Sequence, residues 1–115
     1  MAQPSPTPSA PPPEPTSLAN LEIRPGEYEV LVDGRRVGLT VREFQIFSVL
    51  AARVDRVVSR EEVYAQVWGG PMSRRDRSVD VFVRKLRSKL GAVSPDYRYI
   101  HTHFGVGYRL APERA

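Results

Sequence analysis

Apolar positions recur in two different patterns along this chain. Between residues 21 and 39, apolar and polar side chains alternate, which is typical of strands with one buried face. Tyr28, Val30 and Val32 point one way in that alternation, and Asp33-Gly34 is a strong signal for a tight hairpin turn. We therefore predict a small antiparallel sheet, with Pro25-Gly26 as the turn between its first two runs.

Further along, the apolar positions recur at the three- and four-residue spacing of helices. Thr40-Val41-Arg42-Glu43 has the composition of a capping box and predicts a helix over residues 41–53. Ser59-Arg60-Glu61-Glu62 repeats that composition and predicts a helix over residues 60–68, which Gly69-Gly70 ends.

A third helix and a terminal hairpin complete the pattern. Ser73-Arg74-Arg75-Asp76 predicts the start of a helix that runs to Leu90 and stops at Gly91. Tyr97–Thr102 and Tyr108–Leu110 then predict two strands joined by a glycine-containing turn. The predicted order is sheet, three helices and hairpin.

A helical wheel divides the third helix into an apolar and a cationic face. The apolar stripe consists of Val79, Phe82, Val83, Leu86 and Leu90. The opposite side consists of Arg77, Val81, Arg84, Lys85 and Ser88. A helix of about 10–12 Å diameter fits the major groove of DNA, where cationic side chains reach guanine edges or phosphates and a small apolar one meets a thymine methyl. An ordinary amphipathic helix with a solvated basic side has the same pattern.

The net charge of +4 is unevenly distributed. Residues 18–70 carry seven basic and eight acidic side chains, whereas residues 71–115 carry ten basic and four acidic ones. Because the third helix lies in the basic half, the distribution favours a polyanionic partner for that half.

The order of elements indicates one architecture. The helix over residues 60–68 stands where a helix-turn-helix has its positioning helix, although the connection to the third helix exceeds the usual length of about 3–4 residues. A hairpin directly after a recognition-type helix is a wing, able to reach the backbone or the minor groove. These elements predict an α+β fold of the winged helix-turn-helix type over residues 18–112, with an N-terminal antiparallel sheet and a C-terminal β-hairpin wing.

Composition excludes several functions. The chain has no cysteine, which excludes disulfides, thiolate metal sites and a cysteine nucleophile. No apolar run approaches the roughly 20 residues of a membrane span, and the N-terminus lacks a secretory signal, so that we expect a cytoplasmic protein. His101 and His103 share one side of a predicted strand but lack a third ligand. We therefore expect no metal, no other cofactor and no enzyme activity.

The first residues differ from the rest of the chain. Seven of the eleven prolines fall within residues 1–15, in a segment with one charge and no periodicity. We expect residues 1–17 to be a disordered tail that serves as a linker or solubilising segment. Its proline runs are also of the kind that docks in aromatic grooves.

Five sequence blocks resemble the C-terminal effector domain of OmpR/PhoB-type response regulators. In chain order they are Leu39-Thr40-x-x-Glu43-Phe44, Val57–Glu62 followed by Val67-Trp68-Gly69, Arg77–Val81, Leu86-Arg87-x-Lys89-Leu90, and Gly105–Arg109. They cover nearly all of residues 20–110 in the family's order, so the combination is far more specific than any one block. The resemblance implies a four-stranded N-terminal sheet, a third helix that reads the major groove of duplex DNA, and a wing in the adjacent minor groove.

The resemblance also implies roles for individual residues. In the recognition helix, about residues 76–90, Val81 and Lys85 are expected to face bases in the major groove, with Arg84 beside them and mainly on phosphate. Expected contacts to the DNA backbone come from Trp68, Arg77, Ser78 and Arg87. The wing, about residues 98–110, is expected to contact DNA through Thr102, His103 and Phe104. The ring of Trp68 can be a core anchor and still place its indole N–H near the backbone.

Three positions depart from the family pattern. Phe82 replaces a common His, which exchanges a phosphate contact for packing. Lys85 replaces a common Arg, which weakens bidentate readout of guanine. Phe104 stands where a wing Arg usually enters the minor groove. It can stack on a sugar, wedge a base step or pack on the wing, and packing is the interpretation favoured here. His103, when protonated, partly replaces the missing cation.

The 115 residues include no receiver domain. We expect either a free-standing bacterial regulator, which the initial Met favours, or the effector part of a longer protein. The loop with Arg74 and Arg75 matches the family segment that often contacts RNA polymerase, and it can equally hold phosphate. The expected partner is double-stranded DNA, bound by a protein that is a monomer in solution and a head-to-tail pair on DNA. The alternative is a protein-interaction winged helix that binds polymerase or another regulator and touches DNA only weakly.

Overall fold

The computed structural model describes residues 16–115, which form seven strands and three helices. The strands are β1 (Thr16–Leu18), β2 (Leu21–Arg24), β3 (Glu29–Val32), β4 (Arg35–Val37), β5 (Val57–Ser59), β6 (Tyr97–His103) and β7 (Gly107–Arg114). The helices are α1 (Val41–Ala51), α2 (Arg60–Trp68) and α3 (Ser78–Val93). The proline-rich segment 1–15, with its predicted disorder and docking runs, lies outside the described residues.

The strands form two antiparallel sheets. The N-terminal sheet has the order β1-β2-β3-β4, and the C-terminal sheet has the order β5-β7-β6. The predicted order of sheet, three helices and hairpin is confirmed, as is the four-stranded sheet that the resemblance implied. Strand β1 begins at Thr16, before the predicted domain boundary at residue 18, and β7 continues to Arg114, beyond the predicted end at residue 112.

One cluster of buried side chains joins both sheets and all three helices. Phe47 and Leu50 of α1, Val30 of β3 and Leu110 of β7 are completely buried in it. The predicted apolar stripe of α3 is confirmed, because Val79, Val83, Leu86 and Leu90 are buried and Phe82 packs against the cluster from its edge. Burial of this stripe fixes which side of α3 faces solvent.

Tyr28 does not belong to a strand. A short 3-10 turn over Pro25–Glu27 replaces the predicted simple turn, and Tyr28 follows it in left-handed backbone, with φ 54°. Its ring is half exposed and lies against Phe44, with 5.0 Å between the ring centroids. The alternation prediction was wrong here because the proline-initiated turn extends further than two residues. At the predicted hairpin, Asp33 and Gly34 both have positive φ, as a type I′ turn requires.

Helix α3 begins later than predicted. Ser73 does not cap it, since its hydroxyl accepts only from the backbone N–H of Arg75 within the loop. The N-cap is Arg77, whose side chain makes no capping bond, and Asp76 just before it accepts from the N–H of Ser78 at 2.8 Å. Hydrogen bonds from Ser78 hold the pKa of the Asp76 carboxyl below its usual range. The connection between α2 and α3 is therefore an extended loop over residues 69–77.

The same helix also ends later than predicted. Gly91 does not stop α3, which continues to Val93. Ser94 leaves the helix because it precedes Pro95, and the residue before a proline avoids helical backbone. The buried hydroxyl of Ser94 accepts a hydrogen bond from Tyr99 Oη at 3.0 Å, so that the end of α3 is tied to β6.

The two predicted capping boxes have different outcomes. At α1 the box is complete, because Thr40 and Glu43 each accept from the other's backbone N–H. At α2 only Ser59 acts as predicted, accepting from the N–H of Glu62 at 3.1 Å. The Glu62 carboxylate pairs with Arg53. Helix α2 still has its predicted bounds, whereas α1 ends two residues earlier than predicted, at Ala51.

Glu43 is a buried charge that joins α1 to α3. Its Oε1 accepts from Lys89 Nζ at 2.6 Å and from Thr40 N at 2.9 Å, and its side chain is 2% exposed. Burial raises the pKa of this carboxyl, but the hydrogen bonds from Lys89 and Thr40 outweigh burial, so that the pKa lies below its ordinary value of 4.5.

We expect Lys89→Met to lower the free energy of unfolding by about 2 kcal/mol at pH 7, because Glu43 would stay buried without its cation. Only the Thr40 hydrogen bonds would then oppose burial, so the pKa of Glu43 should rise. The variant should therefore gain stability as the pH falls from 7 towards 4.5, and its deficit should shrink. Denaturant unfolding at pH 7 and pH 5 measures both effects. The double variant Glu43→Gln/Lys89→Met is the control and should recover most of the loss; equal instability of the two variants would contradict this account.

Candidate nucleic-acid interface

The outer side of α3 carries exposed cations around one apolar side chain. Arg77, at the helix N-cap, and Arg84 and Lys85 within the helix are exposed, and Val81 between them is 40% exposed. We call these four residues the cationic face. None of its three cations pairs with a carboxylate in the described part of the chain, whereas four arginines of the first half do: Arg24, Arg36, Arg53 and Arg60. The positive charge of the cationic face is thus left uncompensated.

Trp68 combines a packed ring with a free donor. Its ring stacks on Tyr64 at 4.9 Å and lies against Phe82 at 5.9 Å, while the Arg42 guanidinium covers it at 4.8 Å. The packing role predicted for Phe82 is therefore confirmed. The indole N–H has no acceptor among residues 16–115 and is not among the buried unpaired atoms there. Trp68 is thus both an anchor at the end of α2 and an available hydrogen-bond donor.

Arg87 holds the wing against α3. Its Nε donates to the carbonyl oxygen of Ile100 at 3.1 Å, its Nη2 donates to Thr102 Oγ1, and its guanidinium lies 5.6 Å from the ring centroid of Tyr108. The resemblance implied a phosphate contact for Arg87, but much of its donor capacity is used within the protein. Thr102 keeps its own hydroxyl hydrogen to donate.

A second tie between α3 and the wing was missed by the sequence analysis. Asp80 Oδ1 accepts from Tyr108 Oη at 2.5 Å, and the same carboxylate pairs with Arg60 of α2 at 3.0 Å. Burial, followed by the hydrogen bond to Asp80 and its charge, raises the pKa of Tyr108 to about 12. Asp80 is the only acidic residue of α3. A single carboxylate on an otherwise basic helix was the feature of the sequence that could have indicated this tie. Within residues 16–115 the Asp80 carboxylate contacts Arg60 and Tyr108 and no cation of the cationic face, and it thereby joins α2, α3 and β7.

The tip of the wing contradicts the packing interpretation of Phe104. This side chain is 90% exposed, so it does not pack on the wing. The physical reason is its place in the turn after β6, where Gly105 has φ +76° and the chain reverses before any strand can cover the ring. The imidazole of His103 is already engaged within the wing, since its Nε2 accepts a hydrogen bond from Arg109 Nε at 3.0 Å. The role of His103 as a partial replacement for the missing wing cation stays a prediction.

The wing and the start of α3 enclose an open cleft of about 310 Å³. Arg77 and Asp80 line one side, and Thr102, Phe104 and Tyr108 line the other. Within residues 16–115 no three His, Asp or Glu side chains are grouped to hold a metal ion, and no helix is long and apolar enough to cross a membrane. The cleft thus combines cationic side chains, the carboxylates of Glu61 and Asp80, hydroxyl donors and exposed apolar side chains.

The loop over residues 69–77 presents two further cations. Arg74 and Arg75 are exposed, and neither pairs with a carboxylate in the part of the chain that the structure describes. The loop precedes the cationic face directly, so it extends the positive surface towards the end of α2.

The fold is that of a winged-helix domain. It consists of two sheets and three helices, and the terminal hairpin is tied to the exposed cationic helix. Residues 34–110 match the family model described as "Transcriptional regulatory protein, C terminal", and the chain belongs to this family. The resemblance to OmpR/PhoB-type effector domains is thereby confirmed.

Three solved structures are similar to this chain over most of its length. The chain resembles the DNA-binding domain of CpxR from E. coli with a TM-score of 0.77 and 29% identity, over 86% of this chain and 97% of that one. It resembles the Klebsiella pneumoniae RstA DNA-binding domain in complex with the RstA box with a TM-score of 0.78 and 29% identity, over 87% and 99% of the two chains. The Thermotoga maritima response regulator DrrB, an OmpR/PhoB homolog, matches with a TM-score of 0.71 and 31% identity, over 84% of this chain and 44% of that longer chain.

Proposed function

We propose that this protein binds duplex DNA sequence-specifically as a transcriptional regulator, with α3 in the major groove and the wing at the minor groove. The observation that carries the proposal is the uncompensated cationic face, since Arg77, Arg84 and Lys85 have no carboxylate partner in the described residues. Exposed, unpaired cations on a helix that fits the major groove favour DNA phosphates and guanine edges as ligands. The RstA domain, solved with its DNA box, supports the same partner.

The side chains divide by the chemistry they offer. Val81 and Lys85 point away from the buried stripe near the middle of the exposed side, where a thymine methyl and a guanine edge are suitable partners. Arg77, Arg84 and the indole N–H of Trp68 suit phosphates, which position the protein without reading sequence. Thr102 donates from the wing. Ser78 lies in the first turn of α3, where the backbone N–H groups that are not donated to Asp76 favour phosphate.

The loop over residues 69–77 is a candidate second contact. Arg74 and Arg75 are exposed and unpaired with carboxylates in the described chain, so they suit an acidic patch of RNA polymerase as well as phosphate. Co-purification of polymerase that survives nuclease treatment and is lost in Arg74→Ala/Arg75→Ala would assign the loop to the protein partner. Loss of polymerase on nuclease treatment would assign it to DNA.

Selection of bound duplexes from a random pool tests the proposed function. We expect the wild-type chain to enrich one site, with half-site spacing if two copies bind head to tail. Lys85→Ala should change the preferred base at one position, because it removes a contact to a base edge. Arg77→Ala should weaken all sequences alike and leave the preference unchanged, which makes it the matched control. A pool that stays random after repeated rounds at low salt would contradict the proposal.

A further inference from the structure

Phe104 is the one phenylalanine of residues 16–115 that the fold leaves in water. It is 90% exposed, whereas Phe44 and Phe47 are buried and Phe82 packs at the edge of the core. Val106 beside it in the same turn is 58% exposed. Phe104 and Val106 together give the end of the hairpin a small exposed apolar surface.

The turn that carries Phe104 is ordered by its own backbone. The N–H of Val106 donates to the carbonyl of His103 at 2.9 Å, and His103 pairs with Gly107 at the last position of the β6–β7 ladder. Gly105 supplies the positive φ that the turn needs. The ring is therefore presented on a defined support rather than on a long loop.

The tip carries no free cation. Arg109, the nearest arginine along β7, donates to His103 Nε2 and also lies within 3.6 Å of carboxylate oxygens of Asp55 and Glu113. The hairpin tip itself thus offers no cation to a phosphate, and among the described residues the free cation of the cleft that Phe104 lines is Arg77, at the N-cap of α3. An apolar ring without a cation fits the faces of bases and sugars, which lie inside a groove rather than on its rim.

The wing is fixed with respect to the cationic face. Arg87 ties α3 to Ile100 and Thr102 of β6, and Asp80 ties α3 to Tyr108 of β7. A duplex held by the cationic face is consequently presented to Phe104 as well. This continuity, and not exposure alone, is what favours DNA over a protein as the ligand of the ring.

Resting on the proposed function, we propose that Phe104 inserts from the minor groove into a base-pair step and kinks the bound duplex. Apolar wedges of this kind partly unstack a step and bend DNA by about 20–90° towards the major groove. Pyrimidine–purine steps such as TA and CA unstack most easily, so the site should carry such a step below the wing. The wedge thereby adds sequence preference at a position where the protein donates no hydrogen bond to a base.

Two measurements on one selected duplex test the wedge. End-labelled duplex reports bending by energy transfer, and 2-aminopurine placed at the step below the wing reports unstacking by its fluorescence. For the wild-type chain we expect a bend and a rise in fluorescence. Phe104→Ala should abolish both and lower affinity roughly tenfold, a loss in the range measured for single base–aromatic contacts. Val106→Ala, also exposed in the turn, is the matched control and should retain the bend.

The outcomes separate this inference from the proposed function. Tight binding with the same bend in wild type and Phe104→Ala, or with straight DNA in both, overturns the wedge and leaves the proposed function standing. If Phe104→Ala lost a bound protein partner while the bend and the fluorescence of the DNA stayed as in wild type, the ring would belong to that partner and the wedge would be overturned. Absence of duplex binding by the wild-type chain would overturn both. Phe104 supports no core packing, so Phe104→Ala should keep the wild-type melting temperature.

Discussion

Gly107→Ala should lower the melting temperature of the domain by roughly 15 °C, which corresponds to about 3 kcal/mol for a domain of this size. A Cβ at this position would lie 2.0 Å from the carbonyl oxygen of Val58 and 2.8 Å from Ser59 Cα. Both are backbone atoms of β5, so no side-chain rotation relieves the overlap. Strand β7 would have to move away from β5, which carries the cap of α2.

The matched control is Gly105→Ala, in the same hairpin. Gly105 has φ +76° but open space around its missing Cβ, so alanine there adds only backbone strain of about 1 kcal/mol. Thermal unfolding followed by circular dichroism measures both variants. Equal melting temperatures for the two would show that the β5–β7 contact does not limit stability.

Removal of two cations from α3 should have the largest effect on DNA binding. We expect Arg77→Ala/Arg84→Ala to weaken binding to the selected duplex about a hundredfold, since each charge-assisted hydrogen bond is worth roughly 1.5–3 kcal/mol. The slope of log K against log salt should become shallower by about 0.9 for each lost phosphate contact. Equilibrium titration over a series of salt concentrations measures both quantities.

A charge-matched substitution distinguishes the contribution of the cationic face to DNA binding from that of the overall net charge. Arg35 in β4 is exposed and has no carboxylate partner in the described chain, so Arg35→Ala removes the same charge as Arg84→Ala. Arg35→Ala should leave affinity and salt slope nearly unchanged, while Arg84→Ala alone lowers affinity about tenfold. Similar losses for the two would mean that overall charge, and not the outer side of α3, attracts the duplex.

Local sequence patterns predicted most helices and strands, because the residues that determine these elements lie close together in the chain. The box at Thr40 and Glu43, the Asp33-Gly34 hairpin and the apolar stripe of α3 depend on neighbours three or four positions away. Strand β5 was missed because it has three residues, and its partner Gly107–Arg109 lies about fifty positions later. Its pairing depends on tertiary contact, which short-range periodicity does not carry.

The site was predicted in part for the same reason. The wheel of α3 separated the buried from the exposed positions correctly, because helix geometry alone determines them. The ties from Asp80 to Tyr108 and from Arg87 to Thr102 span 28 and 15 positions, and neither follows from spacing. Phe104 was expected to pack because apolar rings usually do, and only the structure of the turn shows that its ring stays exposed.

Protection of guanine N7 is the most direct test of α3 in the major groove. N7 lies in that groove, and dimethyl sulfate methylates it unless a protein covers it. On the selected duplex we predict that the wild-type chain protects a run of guanines, and that Lys85→Ala restores the reactivity of one of them at saturating protein. Full reactivity of every guanine N7 under conditions of complete binding would contradict the placement of α3 in the major groove.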